Sequence, residues 1–245
     1  MKTKLIVTGC MRSGTQYMAT LLRKLGIACG HEQVFNTKLF VGHLPGQPAK
    51  WNGNQADVSW MATPCLGEDF SDGTGSHVIW RQHRHPLKIL QCLVGHRLLL
   101  NETYPAVEFI FSHAPECSDG NLIDRSIKYI LAWDRFLRTN LSGIVVRVEE
   151  YRIEDRSPWD LIDALDRLQS YDEDWSSAVH FARGHVLDVI ETIPKDIGTC
   201  NHTHDYLTWD KVYKESPLAP KLHQLARSQG YTERHEVIGA RHAHS

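Results

Sequence analysis

The sequence predicts an α/β fold of three layers, in which a central and mainly parallel β-sheet is flanked by helices. Apolar runs at residues 4–8, 77–81 and 143–148 have the composition of buried strands, and each is followed by a loop and a helical pattern. A chain of 245 residues, 42% hydrophobic and 23% charged, can bury one full core. We therefore expect residues 1–245 to form a single domain.

Residues 9–15 (GCMRSGT) connect the first apolar run to a segment whose apolar residues recur with helical period. Strand, glycine-bounded loop and helix is the layout of a phosphate-binding loop, or P-loop. The two glycines allow a tight turn, so that backbone amides and the helix N-terminus face a common concavity. The segment predicts binding of an oxyanion group of the phosphate type. An ordinary glycine turn between a strand and a helix is the alternative.

The loop departs from the P-loop of nucleotide triphosphatases, which reads G-x-x-x-x-G-K-[ST]. Gly9 and Gly14 keep the spacing, but Thr15 replaces the lysine and Gln16 replaces the hydroxyl that binds magnesium. The loop cation is instead Arg12. A triphosphate needs a metal and a lysine to neutralise its outer oxygens, whereas a sulfuryl group carries less charge. One arginine and the backbone amides could suffice for the latter.

A second anion-binding element is expected after the apolar run at residues 77–81. Arg84 and His85 precede Pro86, which opens another helical pattern. Proline suits the first turn of a helix, so Arg84 lies between the end of a strand and a helix N-terminus. Open α/β sheets bind ligands at this position. A solvent-exposed arginine at a helix start is the alternative.

Residues 12–15 (RSGT) and the Arg84-His85-Pro86 element together resemble the sulfotransferases that use 3′-phosphoadenosine-5′-phosphosulfate (PAPS), in particular the carbohydrate and tyrosylprotein types. The resemblance implies that PAPS is the sulfuryl donor and that Arg84 contacts its 3′-phosphate. A serine of the family that shares this contact is replaced by Cys92, and Arg81 or His83 could compensate. The residues implied in holding the 5′-phosphosulfate are Arg12, Ser13, Gly14, Thr15 and Gln16, with Arg12 neutralising the leaving phosphate in catalysis.

The catalytic base implied by the resemblance follows the first helix, within residues 30–32 (GHE). Alignment of the Gly-x-Glu pattern gives Glu32, whereas a count from Arg12 without a gap gives Gln33. Some family members use a histidine, so His31 competes with Glu32. A positioned carboxylate or imidazole can take the proton of an acceptor hydroxyl. A polar pair at a helix exit without catalytic function is the alternative.

Residues 35–76 form a long glycine- and proline-rich segment, which we expect to bind the acceptor because long loops in compact domains are usually functional. Trp51 and Trp60 within it could stack on a sugar or phenol, or fill the core, and we favour core for Trp60. The sequence at residues 57–60 suggests the start of a short helix. The acceptor is a small molecule or glycan that offers a hydroxyl or amine.

Two other functions stay open at this point. A small-molecule kinase with an altered P-loop would lack the lysine and the magnesium ligand. A nucleotide-binding protein without catalytic activity is the third possibility, because of Cys92 and the uncertain alignment of Glu32. The His and Cys residues do not have the spacing of a zinc module, so we expect no metal.

Charge and hydropathy limit the partners and the location. The net charge of −2 and the scattered Lys and Arg residues predict no nucleic-acid surface. No apolar run approaches the roughly 20 residues that span a bilayer, and the N-terminal apolar run is too short for a secretory signal. These features lead us to expect a cytoplasmic protein without a membrane span.

Further helices are predicted from apolar spacing and capping residues. A long amphipathic helix over residues 122–137 should be capped near Asp119 or Asn121. Another begins at Ser157 and Pro158, and two more lie near residues 179–192 and 217–228. Thr208 is a predicted N-cap.

Overall fold

The computed structural model describes residues 3–36, 51–66, 77–141, 148–152, 158–169, 183–193 and 207–231. Contacts between residues divide the chain into two compact units. The first unit comprises residues 1–82 and 135–199, and the second comprises residues 83–134 and 200–245. The expectation of a single domain stays a prediction.

The first unit contains a five-stranded sheet, whose strands are β1 (Lys4–Gly9), β2 (Cys29–His31), β3 (Ala56–Val58), β4 (His77–His83) and β5 (Val148–Arg152). Their order in the sheet is β2-β3-β1-β4-β5. The pairings β2 with β3, β3 with β1 and β1 with β4 are all parallel, which confirms the predicted α/β class. The parallel order places the carboxyl ends of β1, β2, β3 and β4 at one edge of the sheet.

Helix α1 (Thr15–Lys24) follows β1 and packs its apolar face on the sheet. Leu21 and Leu22 on this face and Leu5 on β1 are completely buried. The chain then returns through Ile27 into β2, and Arg23 at the end of α1 donates from Nε to the Cys29 carbonyl over 2.7 Å. This contact ties the end of the helix to the start of β2, directly before the predicted base.

The segment at residues 35–76 is not wholly irregular. It contains β3 and a 3-10 helix (Trp60–Cys65), while residues 37–50 and 67–76 lie outside the described residues. Asp57 and Val58 belong to β3, so the helix begins later than predicted. Its N-cap is Ser59, whose side chain accepts a hydrogen bond from the Met61 amide over 3.2 Å.

The remainder of the first unit contains β5 and the helices α5 (Pro158–Gln169) and α6 (Arg183–Thr192). Helix α5 begins where proline predicted it, and Ile162 and Leu165 on it join the core of the sheet. Most of the strand predicted at residues 143–148 lies outside the described residues. The strand that is seen there, β5, begins at Val148.

The second unit is helical over its described residues. The helices that contribute to this unit are α2 (Pro86–Gly95), α3 (Pro105–His113), the first part of α4 (Leu122–Leu141), α7 (Trp209–Glu215) and α8 (Ala219–Ser228). Asn121 caps α4 as predicted, because its side chain accepts from the Asp124 amide over 2.9 Å, and Thr208 caps α7 through the Lys211 amide over 3.3 Å. Pro86 occupies the first turn of α2. None of the helices in the described part of the chain is both long and apolar enough to cross a membrane.

Candidate functional site

The P-loop sequence occupies the predicted position between β1 and α1. Gly9 ends β1 opposite Gln82 of β4, and a Cβ atom at Gly9 would collide with the Gln82 carbonyl oxygen. The Gly9 carbonyl accepts a hydrogen bond from the Thr63 hydroxyl over 3.2 Å. Glycine is therefore required here by a close backbone approach between neighbouring strands.

The loop itself uses the left-handed region of backbone space twice. Arg12 has φ 69° and Gly14 has φ 97°, and Gly14 is the N-cap of α1. Gly14 adopts this conformation at little cost, whereas it is strained for Arg12. A charged residue held in a strained backbone conformation is typical of a functional position.

The start of α1 is suited to an external anion. The N-cap, Gly14, has no side chain with which to cap the helix, and no acidic residue lies in the first turn. The first amides of a helix have no partner within the helix, and its N-terminus carries partial positive charge. Thr15 is buried and Gln16 is exposed at this end. A bound phosphate or sulfate group would supply acceptors for these amides.

Contacts within the loop and with β4 fix the position of Ser13, and its predicted contact with the 5′-phosphosulfate stays a prediction. The residue is completely buried, and its Oγ atom lies against Gly9 without a hydrogen-bond partner. Its amide donates to the Cys10 carbonyl over 3.0 Å, and its own carbonyl accepts from Gln82 Nε2 over 2.6 Å. These bonds fix the backbone of Ser13 within the loop. Gln82 stabilises the loop from β4, and nothing in the sequence around Gln82 indicated that function.

His31 and Glu32 lie beside the loop, as their candidacy as base requires. Nε2 of His31 is 3.3 Å from the hydroxyl of Thr15, the first residue of α1, and 3.9 Å from Oε1 of Glu32. The side chains of His31 and Glu32 are 29% and 31% exposed, so that an acceptor could reach either. The structure thus brings the loop and the predicted base pair together within the first unit.

The surroundings of the two candidates shift their pKa values in opposite directions. Burial raises the pKa of Glu32 above its ordinary value, nearby Asp57 raises it further, and a hydrogen bond with Trp60 opposes the shift. Burial, followed by the charge of Arg23, lowers the pKa of His31, so its imidazole stays neutral. A carboxylate with a raised pKa is a stronger base than an ordinary glutamate.

Asp57 is a further acidic residue at this site that the sequence did not single out. It is completely buried in β3, and its carboxylate accepts backbone amides from the segment after Glu32. Burial is the largest cause that raises its pKa to about 6; the amides of Gln33, Phe35 and Val34 and the charge of Arg23 act in the opposite direction.

We compared the sequence and the fold with those of known proteins. The sequence matches no family model and no curated protein. A solved structure described as the sulfotransferase domain from the curacin biosynthetic pathway is similar, with a TM-score of 0.54 and 11% sequence identity. The match covers 95% of this chain and 99% of that domain. The chain has the fold of a sulfotransferase domain. At this identity the likeness shows the fold alone.

The remaining nucleotide-binding residues of the sulfotransferase-like prediction belong to the second unit. Arg84 is half-buried between β4 and α2, and its neighbour His85 caps α2 by accepting the Leu87 amide at Nδ1 over 3.1 Å. Cys92 lies on α2 and is 1% exposed, so its thiol faces the interior. Contacts of Arg84 and Cys92 with a 3′-phosphate stay predictions.

The tryptophans of the predicted acceptor segment are internal. Trp60 is 3% exposed, which agrees with the core position that we favoured. Trp51 is 7% exposed and packs edge-on against Phe35, with the Lys4 ammonium 5.2 Å from its ring centroid. Neither ring presents an open face for stacking on an acceptor. Binding of the acceptor by other parts of residues 35–76 stays a prediction.

Proposed function

We propose that this protein is a sulfotransferase that transfers a sulfuryl group from PAPS to a hydroxyl or amine of an acceptor, with carbohydrates as the first class to examine. The observation that carries the proposal is the start of α1, where the N-cap is glycine, behind a loop that has arginine instead of the P-loop lysine. The similarity of the fold to a sulfotransferase domain supports it.

The loop supplies binding and charge stabilisation in this proposal. PAPS provides the sulfuryl group and a phosphate as its leaving group. In this proposal the amides at the start of α1 bind oxygens of the 5′-phosphosulfate, and Arg12 neutralises the charge that develops on the leaving phosphate. Gln82 and Gly9 keep the loop in place through the backbone contacts described above. Positioning and charge stabilisation are the main sources of rate enhancement in such a site.

Proton transfer is assigned to Glu32. Its carboxylate takes the acceptor proton as the nucleophile attacks, while His31 stays neutral between Thr15 and Glu32. The half-exposed carboxylate is accessible to an acceptor. His31 is the alternative base, because its Nε2 atom is directed towards the same end of α1.

The nucleotide specificity tests the donor assignment. We expect adenosine 3′,5′-bisphosphate to bind about ten- to a hundred-fold more tightly than AMP, because a charge-assisted contact to the 3′-phosphate contributes about 1.5–3 kcal/mol. Isothermal titration calorimetry measures both affinities. Equal affinities would remove Arg84 from the site. A thermal shift with ATP and magnesium, and none with adenosine 3′,5′-bisphosphate, would indicate a kinase.

The metal requirement tests the reaction class. Thr15 and Gln16 lack the lysine ammonium and the magnesium-binding hydroxyl of triphosphate loops. We therefore expect sulfuryl transfer in excess chelator to proceed at nearly the full rate, measured by the release of adenosine 3′,5′-bisphosphate. An absolute magnesium requirement would contradict the proposal and favour phosphoryl transfer.

A further inference from the structure

Asp57 lies beside the backbone segment that carries Glu32, the predicted base. It lies in β3, opposite Gly30 of β2 in the parallel register. A Cβ atom at Gly30 would collide with Oδ1 of Asp57, so the carboxylate lies directly against the backbone of β2. Glycine at position 30 thus leaves the space in which this carboxylate lies.

The Asp57 carboxylate accepts backbone amides of the segment that follows β2. The Gln33 amide donates to Oδ1 over 3.2 Å and the Phe35 amide donates to Oδ2 over 3.3 Å. The Val34 amide also lowers the pKa of this carboxyl. Buried backbone amides require such acceptors, because an unpaired buried donor costs about 1–3 kcal/mol.

Glu32 is the residue at which the chain turns into this carboxylate-bound segment. Its φ of 55° is left-handed, and its amide donates to the Val58 carbonyl over 3.1 Å. A non-glycine residue holds this conformation only where its surroundings impose it. Two described sets of contacts impose it: the bond of the Glu32 amide to the Val58 carbonyl, and the bonds of the following amides to the Asp57 carboxylate.

We propose that Asp57 is a positioning residue for sulfuryl transfer: by accepting the amides of Gln33 and Phe35, it fixes the turn that holds Glu32 beside the start of α1. The inference rests on the proposed function. Asp57 does not contact the reacting atoms; it acts through the backbone of the turn. A misplacement of the base by about 1 Å can cost about a hundred-fold in rate.

The ionisation of Asp57 provides a readout that a merely structural residue would lack. Its carboxyl has a raised pKa of about 6, and the groups that act on it or are affected by it are Arg23 on α1, Cys29 on β2 and Glu32 in the turn. Its negative charge also raises the pKa of Glu32. Removing the charge should therefore shift the ionisation of Glu32 to lower pH.

The first test is the variant Asp57→Asn. The amide keeps the size but offers one acceptor oxygen and directs an NH2 group at backbone donors, so the turn loosens. We expect kcat to fall about ten- to a hundred-fold, the acid limb of the kcat profile to move to lower pH, and the Kd of adenosine 3′,5′-bisphosphate to change less than about two-fold, since the P-loop is intact.

Asn54→Ala is the matched control. Its Nδ2 atom donates to Oε1 of Gln33 over 3.0 Å, so the variant removes a side-chain contact to the same turn but no backbone acceptor. We expect its kcat and pH profile to match the wild type. If Asp57→Asn behaves like Asn54→Ala in both, the inference is wrong. A wild-type protein that neither binds the nucleotide nor transfers sulfate would instead contradict the proposed function.

A measurement on the wild type keeps the inference testable if Asp57→Asn does not fold. Protonation of Asp57 removes an acceptor from the amides of Gln33 and Phe35. Amide hydrogen exchange, corrected for its intrinsic pH dependence, should show weaker protection of these two amides below about pH 6 than above it. Unchanged protection across this range would overturn the role of Asp57 in fixing the turn.

Discussion

Glu32→Gln is expected to lower kcat by a factor of about 10²–10⁴, the usual contribution of a general base. Glutamine keeps the shape of the side chain and an acceptor oxygen for the hydrogen bond with Trp60, but it cannot take a proton. The Kd of adenosine 3′,5′-bisphosphate should stay nearly unchanged.

In the wild type, kcat should decrease as the pH falls through the raised pKa of Glu32, because only the carboxylate is a base.

His31→Asn is the control for this experiment. It removes the contact between the imidazole and Thr15 but leaves the carboxylate of Glu32, so the loss of kcat should be far smaller. Steady-state kinetics on the two variants and the wild type decide between the candidates. A large loss in His31→Asn with a small loss in Glu32→Gln would make histidine the base. Full activity of both variants would exclude the two residues.

Arg12→Gln is expected to reduce kcat about 10²–10³-fold, which corresponds to about 2.7–4 kcal/mol of transition-state stabilisation. Arg12 supplies the side-chain cation within the loop, and the leaving phosphate gains negative charge as the sulfuryl group departs. Glutamine approximates the reach and polarity of the side chain without its charge. The loss should appear mainly in kcat, because the amides of α1 still bind the ground state.

Arg12→Lys is the matched variant that keeps the charge. The ammonium lacks the forked geometry of the guanidinium, so we expect partial recovery of kcat relative to Arg12→Gln. Both variants retain the strain of a non-glycine residue with φ near that of Arg12, which is 69°. A difference between them therefore reports charge rather than backbone conformation. Equal rates for Arg12→Gln and the wild type would show that Arg12 does not act on the leaving group.

The parts of the fold that were predictable are those with a strong local pattern in the sequence. β1 and β4 are apolar runs, and both were predicted within two residues of their observed ends. The caps at Asn121 and Thr208 depend on a side chain and an amide three residues later, so they are visible in the sequence. These features are set by neighbours along the chain.

The strands β2 and β3 were missed because each has only three residues, too few to establish a periodic pattern. Asp57 and Ser59 both resemble helix N-caps, and only Ser59 is one. Asp57 is buried because β3 lies between β1 and β2, which is a property of the sheet and not of its local sequence.

Part of the candidate site was likewise predictable from the sequence, and part of it was not. The P-loop and the proximity of Glu32 to it were anticipated from residues 9–15 and 30–32, and the contact between His31 and Thr15 agrees with that expectation. Gln82 and Asp57 were not anticipated. Each acts on backbone atoms more than 20 residues away along the chain, and such contacts leave no periodic or spaced signal.

The close approach at Gly9 limits how this protein can diversify. Positions 10–13 and 15 of the loop already carry a Cβ atom, so a substitution there exchanges one side chain for another. At position 9, every alternative amino acid would bring a Cβ atom into the Gln82 carbonyl and force two central strands apart. New specificities in descendants or engineered libraries would therefore arise from side-chain exchanges at other positions, while Gly9 stays unchanged.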